Sequence, residues 1–317
     1  MDVICVGIMV ADVVARPVDS IPKKGSLGLV SAIELHSGGC AVNTATALSK
    51  IGISSAIIGK VGIDPFGDFL INTCKSNKVA SAEIVRSKTI GTSATTVLVD
   101  SRGERTFIHY PGANNELKYS DINLAPFRKA KILHLAGSLL MRSLDGAPSA
   151  RLLKDAKKLG MVTSLDTAWD STGRWMKAIA PCLPYTDIFM AGIKEAEMIT
   201  NKTKPKEIAA TLLSKGVKTI ALKMGVKGSY IQSGNIEFFI PAFKVKTIET
   251  TGAGDAYAAG FLTGTLRNWD TEKTGRFANA VGALSTMAMG ASDGVKSLSD
   301  TESFIRKRYP ESHYNQT

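Results

Sequence analysis

The residues best suited to chemistry lie in one glycine-rich stretch, Thr250-Thr251-Gly252-Ala253-Gly254-Asp255-Ala256. An apolar run typical of a helix, residues 257–262, follows it directly. Because the first N–H groups of a helix are unpaired and partly positive, the amides of Gly252, Ala253 and Gly254 form a candidate anion site. A carboxylate there suits a base that takes a proton from a hydroxyl beside a phosphoryl group. On the residues alone, an ordinary helix cap at Asp255 is an equally good interpretation.

Other phosphate-binding motifs fit this sequence less well. No G-x-x-x-x-G-K-[ST] segment occurs, which excludes a P-loop. The third glycine of a dinucleotide fingerprint would fall on Tyr257, and the motif lies far from the N-terminus. The H-R-D and D-F-G segments of protein kinases are absent as well.

A second candidate site lies near the start of the chain. Gly38 and Gly39 lead into a helical pattern that carries Asn43 in its first turns, and Asp12 follows the first apolar segment. Exposed amides and a carboxamide suit a polyhydroxylated ligand. A plain helix cap explains the glycines equally well, and a solvated loop acid is a slightly better interpretation of Asp12 taken alone.

The elements that would position these residues alternate along the chain. Short apolar segments predict strands at residues 3–7, 55–60, 131–135, 162–165, 187–190 and 219–223. Helical patterns lie at residues 41–51, 66–77, 147–159, 194–200 and 205–215, and helices at 254–267 and 271–289 close the fold. This order predicts an α/β domain over residues 1–317, with a mainly parallel sheet flanked by helices and ligands at the carboxyl ends of the strands.

Two segments, residues 13–35 and 91–114, break the alternation. The second reads as a hairpin, with strands at 95–99 and 106–109 around a turn at 100–103. Strands inserted into an α/β body can pair as a small separate sheet. Such a sheet would serve as a lid over an active site or as a dimer contact.

Composition narrows the function further. The chain has 44% apolar and 21% charged residues, four widely spaced cysteines and no apolar run of membrane-spanning length, so we expect a cytoplasmic protein without a membrane partner. The formal charge of +11 comes from scattered basic residues, which argues against a specific nucleic-acid partner. Seven lysines between residues 202 and 227 favour a solvated face, with attraction of an anionic nucleotide as the alternative.

Taken together, the two glycine motifs resemble the signatures of the PfkB (ribokinase-like) sugar kinase family. The matching segments are Gly38-Gly39-x-Ala41-x-Asn43, Gly59-Lys60-Val61-Gly62-x-Asp64-x-Phe66-Gly67, Asp100-x-x-Gly103-Glu104-Arg105 and Thr251-Gly252-Ala253-Gly254-Asp255-Ala256. The resemblance covers nearly the whole chain. It implies a ribokinase-like fold with a small β-sheet lid and an ATP- and Mg²⁺-dependent carbohydrate kinase, which we expect to form a homodimer through the lid.

The resemblance also implies roles for individual residues. Asp255 matches the general base, and the amides of Gly252, Ala253 and Gly254 match the anion hole. The remaining matches are substrate contacts at Asp12, Gly39 and Asn43, nucleotide contacts at Lys223, Gly225, Gly228 and Asn279, and a water-mediated metal contact at Glu195.

Several positions depart from the family pattern. Gly192 stands where relatives often carry the Asn of Asn-x-x-Glu, and Glu249 stands where an Asp often helps to bind a monovalent cation. The longer Glu249 side chain argues against activation by K⁺, and Val10-Ala11-Asp12 in place of Asn-x-Asp argues against ribose. Asp166 would orient phosphate or metal indirectly, without contacting either one.

For three further side chains we prefer an ordinary structural role over a functional one. We expect Trp169 to pack rather than stack on substrate, Arg105 to be exposed rather than bind an acidic sugar, and His134 to be a hydrogen-bonded core residue. Two alternative functions remain open: a nucleoside kinase of the same fold, and a sugar-binding regulator that has lost catalysis.

Overall fold

The computed structural model describes residues 1–308, which form fourteen β-strands and nine α-helices. The strands are β1 (Val3–Gly7), β2 (Val10–Arg16), β3 (Ala32–Gly38), β4 (Ser55–Ile58), β5 (Lys60–Gly62), β6 (Val85–Ser87), β7 (Ala94–Val99), β8 (Arg105–Tyr110), β9 (Ile132–Ser138), β10 (Val162–Thr167), β11 (Ile188–Gly192), β12 (Thr219–Lys223), β13 (Ser229–Ser233) and β14 (Ile236–Ile240). The helices are α1 (Cys40–Ile51), α2 (Pro65–Ser76), α3 (Ala147–Lys158), α4 (Trp175–Ile179), α5 (Ile193–Thr200), α6 (Pro205–Leu213), α7 (Ala253–Leu266), α8 (Thr271–Ser285) and α9 (Leu298–Arg308).

Eight strands build the central sheet, in the order β14-β13-β12-β11-β10-β9-β1-β4. The six strands from β4 to β12 in this order are parallel, and β13 and β14 extend the edge as an antiparallel hairpin. Every residue of β1 and β9 is buried, because helices cover both faces of the sheet. The six predicted strands are therefore present, and their carboxyl ends share one edge.

Helices α1, α7 and α8 cover one face of this sheet, and α3, α5 and α6 cover the other. Helix α7 is apolar on nearly all sides because it packs against both α1 and α8. Small residues allow the close approach: a Cβ on Gly260 would lie 2.7 Å from the Cα of Ala278. This packing fixes the amino ends of α1 and α7 beside each other.

A separate four-stranded sheet, here called the lid, has the strand order β3-β2-β7-β8. It joins the two predicted inserted segments, and β7 and β8 form the predicted hairpin around residues 100–104. The boundaries differ from the prediction: β2 begins at Val10, so Asp12 lies on a lid strand and not in a loop. Residues 29–31 precede β3 and are exposed, and the backbone N–H of Ser31 donates to the carbonyl oxygen of Arg16 in β2.

The end of the chain differs from the prediction as well. Helix α8 stops at Ser285, before the predicted residue 289, and α9 was not predicted because its sequence is strongly polar. The predicted domain runs to residue 317, and residues 309–317 lie outside the described part of the chain. Within residues 1–308, none of the helices has the length and apolar character needed to cross a membrane.

Candidate active site

The glycine-rich segment forms the amino end of α7, as its sequence predicts. Gly252 precedes the first helical residue with φ 74°, and a Cβ there would lie 2.5 Å from the carbonyl oxygen of Ala291. Only glycine combines this backbone conformation with such a close approach. The helix has no side-chain cap, so the cap interpretation of Asp255 is wrong.

Asp255 instead points across to α1. Its Oδ2 accepts a hydrogen bond from Nδ2 of Asn43 at 2.8 Å, and its backbone oxygen accepts one from Thr44 Oγ1 at 3.4 Å. Asn43 is buried in the first turn of α1, four residues after the N-cap residue Gly39. Two residues 212 positions apart in the sequence, both predicted as site residues, are therefore neighbours.

Burial raises the pKa of the Asp255 carboxyl group, although the Asn43 hydrogen bond and the positive charge of Lys223 oppose the shift. A raised pKa makes a carboxylate a stronger base, as a proton acceptor from a hydroxyl requires. A buried carboxylate of this kind can accept a proton from a hydroxyl group placed beside it.

A buried ion pair lies beneath this segment. Nζ of Lys223, at the end of β12, lies 2.7 Å from each carboxylate oxygen of Asp166 in β10. A Cβ on Gly254 would lie 3.3 Å from the same Nζ, so the cation sits directly under the first turn of α7. Although burial opposes it, the carboxylates of Asp166 and Glu195 raise the pKa of Lys223 and keep it charged. The sequence signal for the pair was a charged residue near the end of each of two apolar strands.

One cavity of about 320 Å³ opens between the lid and the body. It is lined by all three predicted substrate residues, Asp12, Gly39 and Asn43, together with Asp255. Burial raises the pKa of Asp12 to about 6, against the lowering effect of a hydrogen bond from Thr95. The floor of the cavity is therefore polar and rich in hydrogen-bond acceptors.

The lid supplies the roof of this cavity. Val14, Val97 and Phe107 contribute apolar surface, and His109 lies beside them with its Nδ1 3.0 Å from Thr95 Oγ1. His109 is thus a lid residue, and burial lowers its pKa. Sequence reasoning missed the apolar roof residues, because a lid strand alternates between two faces and only the tertiary structure shows which face covers the cavity.

A second cavity, of about 340 Å³, lies on the other side of the glycine-rich segment. All four predicted nucleotide residues line it, namely Lys223, Gly225, Gly228 and Asn279. The Asn279 carboxamide already donates to the carbonyl oxygens of Ile240 and Pro241, at 2.9 and 3.2 Å, so this residue also holds the chain that follows β14. The wall of this cavity nearest the first cavity is formed by Thr250, Ala253 and Gly254.

The two cavities therefore meet at the amino end of α7. Gly252 and Asp255 face the first cavity, and Ala253 and Gly254 face the second. A larger cavity of about 700 Å³ opens at the opposite edge of the sheet, beside Asp187, and contains none of the predicted site residues.

Glu195, the predicted metal contact, lies in the first turn of α5. Its Oε2 accepts hydrogen bonds from Thr167 Oγ1 at 2.7 Å and from the backbone N–H of Gly192 at 3.1 Å. Residues 1–308 contain no cluster of three or more His, Cys, Asp or Glu residues that would bind a metal unaided. This arrangement fits Mg²⁺, which usually binds through one or two carboxylates, water and substrate phosphates.

The structure also tests the three ordinary structural roles expected from the sequence. His134 is a fully buried core residue with Nδ1 3.0 Å from Ser164 Oγ, as predicted, and burial lowers its pKa to about 3. Trp169 contacts the ring of Trp175 edge-on but remains 54% exposed. The expectation of an exposed Arg105 is wrong, because its side chain reaches the body of the protein and pairs with Glu249.

Comparisons with known proteins agree with this geometry. Residues 1–298 match the pattern of the pfkB family carbohydrate kinases. The chain belongs to this family. It is 31% identical over 250 residues to an uncharacterized sugar kinase of Archaeoglobus fulgidus, covering 78% of this chain and 97% of that protein. It is 30% identical over 296 residues to fructokinase-2 of Oryza sativa subsp. japonica, covering 85% of each.

Solved structures show the same architecture. The ribokinase of Thermotoga maritima superimposes with a TM-score of 0.83 at 24% identity, over 96% of this chain and 99% of that one. The ribokinase-like fold with a separate small sheet is thereby confirmed, as is the expectation of a carbohydrate kinase.

Proposed function

We propose that this kinase transfers the γ-phosphoryl group of ATP to a hydroxyl group of a sugar or sugar acid, with Asp255 as the general base. The supporting observation is the position of the Asp255 carboxylate at the point where the two cavities meet. One cavity carries hydroxyl-binding groups, and the other carries a lysine and glycine-lined backbone suited to a nucleotide.

In this proposal the acceptor lies in the lid cavity, with Asp12 and Asn43 on its hydroxyl groups. Asp255 takes the proton of the reacting hydroxyl while that oxygen forms a bond to the γ-phosphorus. The bond between the γ-phosphorus and its bridging oxygen breaks, and ADP leaves. A base in this position typically contributes about 10²- to 10⁴-fold in rate.

Charge that develops on the transferred group would be met by the chain itself. The N–H groups of Gly252 and Gly254 lie at the start of α7, beside that of Ala253, which donates to the carbonyl oxygen of Thr250, and Lys223 lies beneath this turn. Bound Mg²⁺ would neutralise phosphate charge, with Glu195 as the residue that holds its water ligands. The lid would exclude water, which competes with the sugar as an acceptor.

A nucleoside is the second candidate acceptor. The apolar roof of Val14, Val97 and Phe107 would suit a flat base, while the polar floor would suit a ribose. A panel of ketoses, aldoses, sugar acids and nucleosides, scored by acceptor-dependent ADP release, distinguishes the two.

The decisive variant is Asp255→Asn, which keeps the size of the side chain but removes the base. We expect nucleotide binding and melting temperature to change little, while turnover falls by at least about 10²-fold. The matched control is Asp68→Asn, which should keep normal turnover. Asp68 is an exposed carboxylate of α2 that pairs with Arg86. Near-normal turnover of Asp255→Asn would remove Asp255 from the mechanism. Absence of ADP release with every acceptor would favour a sugar-binding regulator.

We also propose that two copies associate through their lids in the cytoplasm. Ile33 on β3 and Ile108 on β8 are exposed apolar side chains on opposite edge strands of the lid. A second copy would remove them from water. Sedimentation velocity on Ile108→Glu against the wild-type chain tests this proposal, since a shift to monomer is expected only for the variant.

A further inference from the structure

Arg105, the first residue of β8, connects the lid to the body of the protein. Its Nη2 lies 3.0 Å from Oε1 of Glu249, and its Nη1 donates a hydrogen bond to Oγ1 of Thr251. The Arg105 side chain is only 26% exposed although it comes from a surface sheet. Thr251 immediately precedes Gly252, so a lid residue contacts the segment that forms the amino end of α7.

The Glu249 carboxylate is held on both sides by the chain. Oε1 pairs with Arg105, Oε2 accepts the backbone N–H of Gly290 at 2.9 Å, and the side chain is 12% exposed. Ala291, which follows Gly290 in the chain, packs against Gly252. Glu249 therefore links the lid, the 290–291 turn and the glycine-rich segment.

This geometry does not fit a monovalent cation on the Glu249 carboxylate. Each of its two oxygens already has a donor from the protein, and the guanidinium of Arg105 supplies the neutralising positive charge. An arginine presents several N–H donors in a planar fork, so it can bind Glu249 and Thr251 at once.

We propose that Arg105 is a positioning residue that ties the lid to the glycine-rich segment through Glu249 and Thr251. It provides from within the chain the charge that a bound K⁺ ion would otherwise supply. This inference rests on the proposed phosphoryl transfer, because its role is to hold the lid and the anion-binding amides in one arrangement. Loss of the tie would loosen the acceptor cavity and admit water.

Kinetics of three variants test the proposal. Arg105→Ala should raise the KM for the sugar about tenfold or more and raise the rate of ATP hydrolysis without sugar relative to transfer. Arg105→Lys, which keeps the charge but loses the fork, should fall between Arg105→Ala and wild type. Arg102→Ala is the matched control, since this lid arginine is 83% exposed and pairs with Asp100 inside its own turn.

Turnover in two different salts distinguishes the positive charge of Arg105 from that of a bound K⁺ ion. Wild-type turnover should be the same in potassium chloride and in tetramethylammonium chloride of equal ionic strength. A tenfold loss without K⁺ would overturn the proposal, as would an Arg105→Ala variant with the KM and hydrolysis rate of Arg102→Ala.

Hydrogen–deuterium exchange gives a readout that does not depend on activity. Arg105→Ala and Glu249→Gln should both speed exchange of amides in residues 105–110 and 249–254, while Arg102→Ala should not. Glu249→Gln keeps the test open if Arg105→Ala fails to fold. Unchanged exchange in both regions would refute the tie even in an active enzyme. If the wild-type chain phosphorylated no acceptor while the two variants showed this faster exchange, the proposed function alone would be refuted.

Discussion

Replacement of Lys223 by Met is expected to lower the free energy of unfolding by about 3–5 kcal/mol, because it leaves the Asp166 carboxylate buried without its partner. The structure sets this magnitude. The Lys223 and Asp166 side chains are 16% and 3% exposed, and both Asp166 oxygens lie 2.7 Å from Nζ. Since domains are typically stable by about 5–15 kcal/mol, the loss would be a large fraction of the total.

The double variant Lys223→Met/Asp166→Asn separates the unpaired charge from the loss of packing. Most of the cost of the single variant comes from the orphaned carboxylate, so removing it should recover most of the stability. Lys227→Met is the control for the substitution itself. Lys227 is exposed four residues later, and its replacement should change stability by no more than about 0.5 kcal/mol.

The cost should also depend on pH. Burial raises the pKa of Asp166 to about 7 even with Lys223 beside it, and removal of that cation would raise the pKa further. A carboxyl group whose pKa is raised by folding destabilises the folded state in full above the folded pKa; the cost shrinks as the pH falls below that value and vanishes only below the unfolded pKa of about 4. The deficit of Lys223→Met should therefore be greatest at pH 8 and shrink toward pH 5.

Urea unfolding followed by tryptophan fluorescence at pH 8 and pH 5 measures all four proteins, with constant m-values as the check for two-state behaviour. The reasoning would be refuted if Lys223→Met were as stable as Lys227→Met at pH 8. It would equally be refuted if the double variant were no more stable than the single one.

Two further predictions concern the two cavities. Gly228 has φ 96°, and a Cβ there would overlap the carbonyl oxygen of Ile240, whereas a Cβ on Gly225 would meet no atom within 4 Å. Gly228→Ala should therefore cost clearly more stability and ATP affinity than Gly225→Ala. Equal effects of the two substitutions in calorimetry and nucleotide titration would contradict this prediction. Because the pKa of Asp12 is raised to about 6, the KM for the acceptor should rise as the pH falls through 6 and the carboxylate gains a proton. Asp12→Asn should flatten that profile, and an unchanged pH dependence in the variant would show that another group titrates.

The body of the fold and the residues most suited to chemistry could be predicted from the sequence. Strands such as β1 and β9 are continuous apolar runs, because burial on both faces leaves no alternation of polar residues. The glycine-rich start of α7 was visible because only a few residue types allow such a backbone. Local rules of this kind act on neighbouring residues and can be read from one chain.

Contacts between residues far apart in sequence could be seen only in the folded structure. The 2.8 Å bond of Asn43 to Asp255, the burial of Lys223 on Asp166 and the contact of Arg105 with Glu249 each join segments far apart in sequence. An isolated Arg after a hairpin turn favours solvent, so its ion pair could not be foreseen. Charged side chains of one sequence can pair in many ways, and only the crossing of α1 and α7 and the placement of the lid over the sheet select the pairs that form.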